Sequence, residues 1–186
     1  MAKIDELNIN IPLILLTHTH YDHTGCVEAL RKATGAKVVV SAKEAAYLRR
    51  GHTPVPKGTS FWSEALSRAA HAFQSDKREH YTPVESGIIE IDAETSVEEW
   101  GFDARVLPLG GHTAGSIGLL IGDHFFAGDT VFGIGHIVYP MFANFPEQIQ
   151  SVWEVIIGSE AKYICPGHGR MLKMRQLEGH YTKRYK

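Results

Sequence analysis

The chain has 186 residues, enough for one domain with a well-buried core, and its composition is that of an ordinary soluble globular protein. The formal net charge of -2 gives nucleic acid no general electrostatic reason to bind. There are only two cysteines and no apolar run near the roughly 20 residues of a membrane span, so a disulfide framework and a membrane anchor are both disfavoured. We therefore expect one soluble cytoplasmic domain over residues 1–186.

Strands and helices alternate along the first part of the chain. The apolar run at residues 13–16 predicts a buried strand, and Gly35 ends a helix whose apolar positions recur from Val27 onwards. The further predicted elements, in chain order, are a strand at 38–40, a helix at 42–50, a proline-containing loop at 51–58 and a longer helix at 61–77.

Short strands dominate the chain beyond Pro83. Gly122 and Asp123 separate two of them and predict a tight hairpin. The last four residues, three of them basic, are interpreted as a solvated tail. The predicted elements of this part are strands at 88–91, 104–107, 116–121 and 124–127, a helix from Pro146 to Ile157, and a last strand at 163–165.

Histidine is the unusual residue type, because most of the 11 histidines cluster in a few turns rich in glycine and aspartate. The strongest cluster is residues 18–23, whose sequence is HTHYDH. Side chains at i and i+2 of an extended chain point to the same side, so His18 and His20 can converge on one metal ion. A following turn would bring Asp22 and His23 to a second point nearby, and such ligands suit zinc. The alternative is a polar turn in which Asp22 merely caps a helix.

Three later positions add ligand types to this cluster. His112 lies in a glycine-rich turn, where the backbone can approach a metal closely. Asp129 follows a strand and could bridge two cations, and His168 lies at the end of the last strand. Each position alone is a weak signal, since a single histidine in a glycine turn is more often a surface residue. Together the seven residues supply about the number of ligands that two metal ions need in addition to a shared water.

This order of motifs resembles the metallo-β-lactamase superfamily, whose HxHxDH signature matches residues 18–23. The resemblance covers essentially the whole chain and implies an α/β fold, the four-layer αβ/βα sandwich. It also implies two divalent metal ions, most often Zn²⁺, with iron or manganese as alternatives. The ligands implied for the first ion are His18, His20 and His112. Those implied for the second are Asp22, His23 and His168, with Asp129 bridging the two ions.

The resemblance implies a hydrolytic mechanism. Two cations about 3.5–4 Å apart lower the pKa of a shared water, so that hydroxide can attack a substrate held by the same metals. Asp22 is the candidate catalytic residue beside the metals, because it could orient the nucleophile or accept its proton. No protein nucleophile is needed, so Cys26 and Cys165 are interpreted as structural.

Two features depart from the family pattern. Members usually carry several strands before the signature, whereas here only residues 13–16 precede it, which predicts that part of the first sheet is missing. An uncovered apolar sheet would favour aggregation, so we expect a homo-oligomer, most simply a dimer. The position after Gly25, often a second glycine in the family, is Cys26 here.

The substrate is expected to be a small molecule. The apolar stretch 131–145 could pack in the core, line a pocket or contact another subunit. By the same resemblance, His136 and Tyr139 lie where family members often keep substrate-contacting residues, and they are the candidate substrate contacts. Residues 128–132 and 166–169 look most like the glyoxalase II branch, which implies hydrolysis of a thioester, an ester or a lactone. Two alternatives remain: a mononuclear iron persulfide dioxygenase, and a metal-binding or interaction protein without activity.

Overall fold

A three-stranded parallel sheet forms the first half of the fold. The structure is a computed structural model in which residues 4, 6, 9–65, 67–69 and 79–186 are described. The strands pair in chain order, and β2 is central, with valines that are almost completely buried. Continuous apolar runs are typical of parallel strands covered on both faces. The strands are β1 (Leu13–Leu15), β2 (Lys37–Ser41) and β3 (Ile88–Ile91).

Three helices follow the strands of this sheet, namely α1 (Tyr21–Thr24), α2 (Val27–Thr34) and α3 (Ala42–Arg50). The α2 helix ends at Gly35 with a φ of 74°, a left-handed conformation that glycine adopts without strain. Ser41 caps α3 by accepting a hydrogen bond from the backbone N–H of Lys43. These local signals are why the predicted bounds of both helices are confirmed.

A six-stranded sheet forms the second half. Its strands pair in chain order and are antiparallel, except that β7 and β8 are parallel. Ile121 pairs with His124, so the predicted two-residue hairpin is confirmed. The strands are β4 (Thr95–Ser96), β5 (Ala104–Pro108), β6 (Ile117–Ile121), β7 (His124–Gly133), β8 (Tyr163–Gly169) and β9 (Leu172–Lys173). The remaining elements are 3-10 turns at Glu98–Trp100 and Pro146–Gln148 and the helices α4 (Ile149–Gly158) and α5 (Met174–Tyr185).

Three apolar clusters define four layers. Side chains of α2 and α3 pack on one face of the first sheet, and the two sheets pack on each other through a second cluster. Helices α4 and α5 cover the outer face of the second sheet, around the buried Trp153. The predicted αβ/βα sandwich is therefore confirmed, with three strands in its first sheet among the described residues. No helix in the described part of the chain is long and apolar enough to cross a membrane.

Several predicted boundaries need correction. β7 and β8 run beyond residues 127 and 165, because their pairing continues through polar residues that follow the apolar runs. The basic C-terminus is the last turn of α5 and not a tail, although Lys183, Arg184 and Lys186 are exposed as predicted. The Arg184 guanidinium lies 3.7 Å from the ring centre of Tyr139. Of the helix predicted at 61–77, residues 61–65 and 67–69 are helical, and the others lie outside the described residues.

Candidate metal centre

The ligand-type side chains lie where strands of both sheets end. The chain leaves β1 and reaches the second sheet at Thr17, whose carbonyl accepts a 2.9 Å hydrogen bond from the N–H of Ile117. The α1 helix then begins after His20, whose carbonyl accepts from His23 and Thr24. On the other side, His168 pairs with Phe132 between β8 and β7, beside an irregular stretch of β7. Folding thus gathers side chains that are about 150 residues apart.

One set of ligands, the three-histidine group, consists of His18, His20 and His112. All three are buried, with ring centres 4.6 to 4.8 Å apart. Nδ1 of His112 donates to the carbonyl of Phe142 at 2.8 Å, which leaves its Nε2 as a lone-pair donor. That Nε2 lies 3.0 Å from Nδ1 of His20. Two nitrogens bound to one tetrahedral zinc ion at about 2.0–2.1 Å would stand roughly 3.4 Å apart, so the spacing suits a shared ion.

Burial keeps the three-histidine group neutral. It is the main cause that lowers the pKa of His20 to about 3, and the imidazole of His112 lowers it further. Burial and the neighbouring imidazoles hold the pKa of His18 well below its usual range, and burial lowers that of His112 although Asp129 opposes it. At neutral pH these rings carry lone pairs and no charge, as metal coordination requires.

The second set, the mixed group, consists of Asp22, His23 and His168 and lies nearer the surface. The side chains of Asp22 and His168 are 53% and 38% exposed. Nε2 of His168 lies 3.0 Å from Oδ2 of Asp22. The carboxylates of Asp129 and Asp22 raise the pKa of His168 to about 9, so this ring is protonated at neutral pH when no cation is bound.

Asp129 lies between the two groups. Its Oδ1 is 3.3 Å from Nε2 of His23, and its Oδ2 is 3.3 Å from Nε2 of His168 and 3.8 Å from Nε2 of His112. Burial raises the pKa of Asp129, but the surrounding imidazoles, His168 foremost, outweigh it and hold this pKa well below its usual range. Asp129 is therefore an ionised carboxylate that faces both groups.

Glycine at position 167 leaves room for this arrangement. A Cβ atom there would lie 2.1 Å from Oδ1 of Asp129 and 3.0 Å from Cε1 of His23. Gly128 makes a similar close approach to Thr17 and has a φ of 53°. The glycines beside the predicted ligands thus allow the backbone of β7 and β8 to approach the site.

The donor atoms fit divalent cations. Three buried atoms of the candidate ligands have no hydrogen-bond partner among the described residues: Nε2 of His18, Nε2 of His23 and Oδ1 of Asp129. Buried polar atoms are normally satisfied, so a cluster of orphans indicates an absent ligand. Within the three-histidine group and within the mixed group, ligand atoms lie within 4.8 Å of one another. Nitrogen and carboxylate donors suit zinc and also iron or manganese.

A cavity of about 510 Å³ opens over these groups. The ligand side chains form its polar floor, and an apolar wall rises from residues 55–56 and 132–142. Residues of the loop at 57–59 hydrogen-bond to the backbone near Met141 and Ala143, which brings the two parts of the wall together. The described lining residues are His20, Tyr21, Asp22, Val55, Pro56, Ser67, His112, Asp129, Phe132, Ile134, Met141, Phe142 and His168.

All seven predicted ligands come together, whereas the two predicted substrate contacts do not join them. His136 is exposed at the turn closed by the bridge between Ile134 and Ile137. Tyr139 packs edge-to-face against Trp153, outside the described lining of the cavity. The apolar stretch 131–145 therefore serves both the core and the cavity wall. Its wall partners Val55 and Pro56 were not predicted, because no motif marks a loop that tertiary contacts bring to the site.

The two cysteines do not join the ligands. Cys26 is exposed and Cys165 half-buried, and both are free thiols. Burial raises the pKa of Cys165, which disfavours the nucleophilic thiolate at neutral pH.

Comparison with known proteins agrees with this geometry. The pattern of the Metallo-beta-lactamase superfamily matches residues 1–168. The chain is 27% identical to the hydroxyacylglutathione hydrolase GloC of Haemophilus influenzae over 91% of this chain and 74% of the relative. It is 28% identical to the probable polyketide biosynthesis zinc-dependent hydrolase BaeB of Bacillus velezensis, over 72% of this chain but only 44% of that relative.

A solved structure of an archaeal metallo-beta-lactamase superfamily protein from Sulfolobus tokodaii has the same fold. Its TM-score is 0.71 at 20% identity, covering 95% of this chain and 69% of that chain. The names of the relatives indicate a metal-dependent hydrolase. The matched pattern and the shared fold lead to one conclusion: the chain belongs to the metallo-β-lactamase superfamily.

Proposed function

We propose that the chain is a hydrolase that binds two divalent cations, most readily zinc, and cleaves a thioester, ester or lactone. One observation carries the proposal: two groups of ligand atoms, joined by Asp129, form the floor of a cavity large enough for a small substrate. The residues that would hold the first ion are His18, His20 and His112. Those that would hold the second are Asp22, His23 and His168, with Asp129 between the ions.

Two cations bound there would supply a hydrolytic water of lowered pKa and would polarise the carbonyl of the substrate. The chain's own contribution begins with fixed geometry, since buried rings such as His18 cannot turn away from the site. Asp129 holds a negative charge between the groups, which offsets the repulsion between two cations. The exposed side chain of Asp22 faces the cavity and is our candidate to orient the water and accept its proton.

The cavity wall favours a substrate with an apolar acyl part. Phe132, Met141 and Phe142 contribute to the wall, and none of the described lining residues is lysine or arginine. On the described part of the wall an anionic substrate part would meet no lysine or arginine, whereas an aliphatic group would exchange water for apolar contacts with Phe132, Met141 and Phe142. Because one relative is named a hydroxyacylglutathione hydrolase, a thioester is the first candidate.

The oligomeric state stays a prediction. β1 and β3 are the edge strands of the first sheet among the described residues, and Phe61 and Trp62 are 79% and 80% exposed. A homodimer could cover a sheet edge or these two side chains. Light scattering coupled to size-exclusion chromatography would test the dimer, which requires twice the chain mass of 20.6 kDa.

Turnover that depends on bound metal tests the proposed function. Protein freed of metal with a chelator and then reloaded with zinc, iron or manganese is assayed with S-acyl thioesters, aryl esters and lactones. We expect hydrolysis that vanishes without metal and returns with two ions per chain. One iron per chain with oxygen consumption on a persulfide would support the dioxygenase instead. Stoichiometric metal without turnover on any compound would mean a binding protein.

A further inference from the structure

A buried acidic residue lies behind the three-histidine group. Glu44, on α3, is 2% exposed. No ion pair among the described residues includes it, although carboxylates are rarely buried without a cationic partner. Its partners are hydrogen-bond donors of the segment that carries two of the proposed metal ligands.

Glu44 holds the residue between those ligands. Its Oε2 accepts from the backbone N–H of Thr19 at 3.1 Å and from the Thr19 hydroxyl at 2.5 Å. Thr19 is fully buried and separates His18 from His20. Two bonds to one carboxylate oxygen fix both the peptide plane and the side-chain rotamer of this residue. The directions of the imidazoles on either side depend on that backbone.

A chain of hydroxyl groups reinforces the contact. The Thr19 hydroxyl donates its proton to Glu44 and accepts a hydrogen bond from the Thr53 hydroxyl at 3.0 Å. Thr53 in turn lies 2.8 Å from the Tyr81 hydroxyl, which must then be the donor. Hydrogen-bond donation therefore runs one way along the three hydroxyls and ends at the Glu44 carboxylate.

The same side chain touches the turn that carries the third histidine. A Cβ atom at Gly115 would lie 2.4 Å from Cγ of Glu44, so α3 packs directly against the turn after His112. Glu44 therefore contacts both parts of the chain that form the three-histidine group, without reaching the cavity.

We infer that Glu44 is a positioning residue that presets the three-histidine group for a cation through Thr19 and the turn at Gly115. The inference rests on the proposed function, because it takes His18, His20 and His112 as metal ligands. Partners behind the ligands of metal sites commonly change metal affinity by about 10- to 100-fold when they are removed. The role is geometric, so an acceptor oxygen at this position should suffice without a charge.

Zinc affinity, measured by competition with a chromophoric chelator, tests the inference independently of turnover. Glu44→Leu fills the space but accepts no hydrogen bond, and we expect it to weaken zinc binding about 10- to 100-fold. Glu44→Gln keeps an acceptor oxygen, so its zinc affinity should stay within about threefold of that of the wild type because the hydrogen bonds are retained. Substitution of cobalt for zinc adds a second readout, since altered ligand geometry changes the visible spectrum.

A matched control separates positioning from general destabilisation. Glu28 on α2 is also buried, but it pairs with Arg31 at 2.6 Å and Lys32 at 3.3 Å, and no hydrogen bond or ion pair of the described residues joins it to a candidate ligand. Glu28→Leu should lower the melting temperature and leave zinc affinity unchanged. If Glu44→Leu does not fold, Thr53→Val removes only one link of the hydroxyl chain and should weaken zinc binding a few-fold.

The outcomes distinguish the inference from the proposed function. The positioning role would be overturned if folded Glu44→Leu or Thr53→Val bound zinc as tightly as the wild type, or lost no more zinc affinity than Glu28→Leu. It would also be overturned if Glu44→Gln bound zinc as weakly as Glu44→Leu. Absence of zinc binding by the wild-type protein would instead overturn the proposed function itself.

Discussion

The two groups of ligands differ in burial and in charge. The three-histidine group is buried, and its rings are neutral well below pH 7. The mixed group is partly open to solvent, and in the absence of metal its His168 holds a proton between the carboxylates of Asp22 and Asp129. The rings of the first group can therefore bind a cation without losing protons, whereas the second group must release the proton of His168 before it binds a cation. We expect the three-histidine group to bind metal first and more tightly.

The largest effect should come from the residue shared by both groups. Asp129→Ala removes the carboxylate that faces His23, His112 and His168, so we expect loss of both metals and a fall in activity of more than about 100-fold. Elemental analysis and kcat/KM measure the two effects. Asp123→Ala, which removes an exposed carboxylate paired with Lys162 at 2.9 Å, is the control and should change neither.

Single-ligand variants should separate the groups. His18→Ala removes a fully buried ring of the three-histidine group and should chiefly empty the first site. His168→Ala removes a half-exposed ring of the mixed group, so we expect it to keep about one zinc ion per chain and to retain its fold. Zinc per chain after gel filtration is the measurement. Equal losses in the two variants would mean that the groups do not act as separate sites.

Proton release should sharpen the same distinction. Because the pKa of His168 is about 9 in the metal-free chain, binding of the second ion near pH 7 should release about one proton. Its affinity should rise about tenfold per pH unit and level off above pH 9, since the ring is then already deprotonated. The histidines of the first group should release no proton when the first ion binds, because the pKa of His20 is about 3. Calorimetry near pH 6, below the range where water bound to zinc ionises, counts these protons in buffers of different ionisation enthalpy, and release of a full proton with the first ion there would contradict the assignment.

The smallest effect concerns the apolar wall. Ile134 lines the cavity, and Ile134→Ser should lower kcat/KM for a hexanoyl thioester roughly three- to tenfold relative to the acetyl thioester. Ile137→Ser is the matched control, because Ile137 is equally exposed and bridges to Ile134 but does not line the cavity. Equal rates for the acetyl and hexanoyl thioesters in the wild type would refute the apolar acyl preference and leave hydrolysis intact.

The candidate ligands at residues 18–23 were predictable from short-range rules, whereas the full set of seven followed from the family resemblance. Alternation along an extended chain places His18 and His20 together, and the glycines beside His112 and His168 mark turns at strand ends. Helix bounds such as Ala42–Arg50 also follow local signals, here the Ser41 cap and Gly51.

Features that depend on contacts between distant parts of the chain could not be predicted from the sequence. In the sequence, Glu44 has the pattern of an ordinary polar helix residue, and only tertiary packing places Thr19 against it. The extensions of β7 and β8 are polar and gain their strand character only by pairing with each other. Helix α5 buries only Leu177 fully, so its apolar pattern is too weak to separate it from a basic tail. Tyr139 and His136 were predicted by resemblance alone; His136 is exposed at the turn between Ile134 and Ile137, and Tyr139 packs against Trp153.

Stepwise removal of metal from the wild-type protein tests the central claim most directly. Protein loaded with zinc is dialysed against increasing chelator concentrations, and zinc per chain is determined at each step. We predict two ions per chain that leave in two separate stages, with a plateau near one ion held by the three-histidine group. Loss of all zinc in a single stage, or a maximum of one ion per chain, would contradict the account of two unequal sites joined by Asp129.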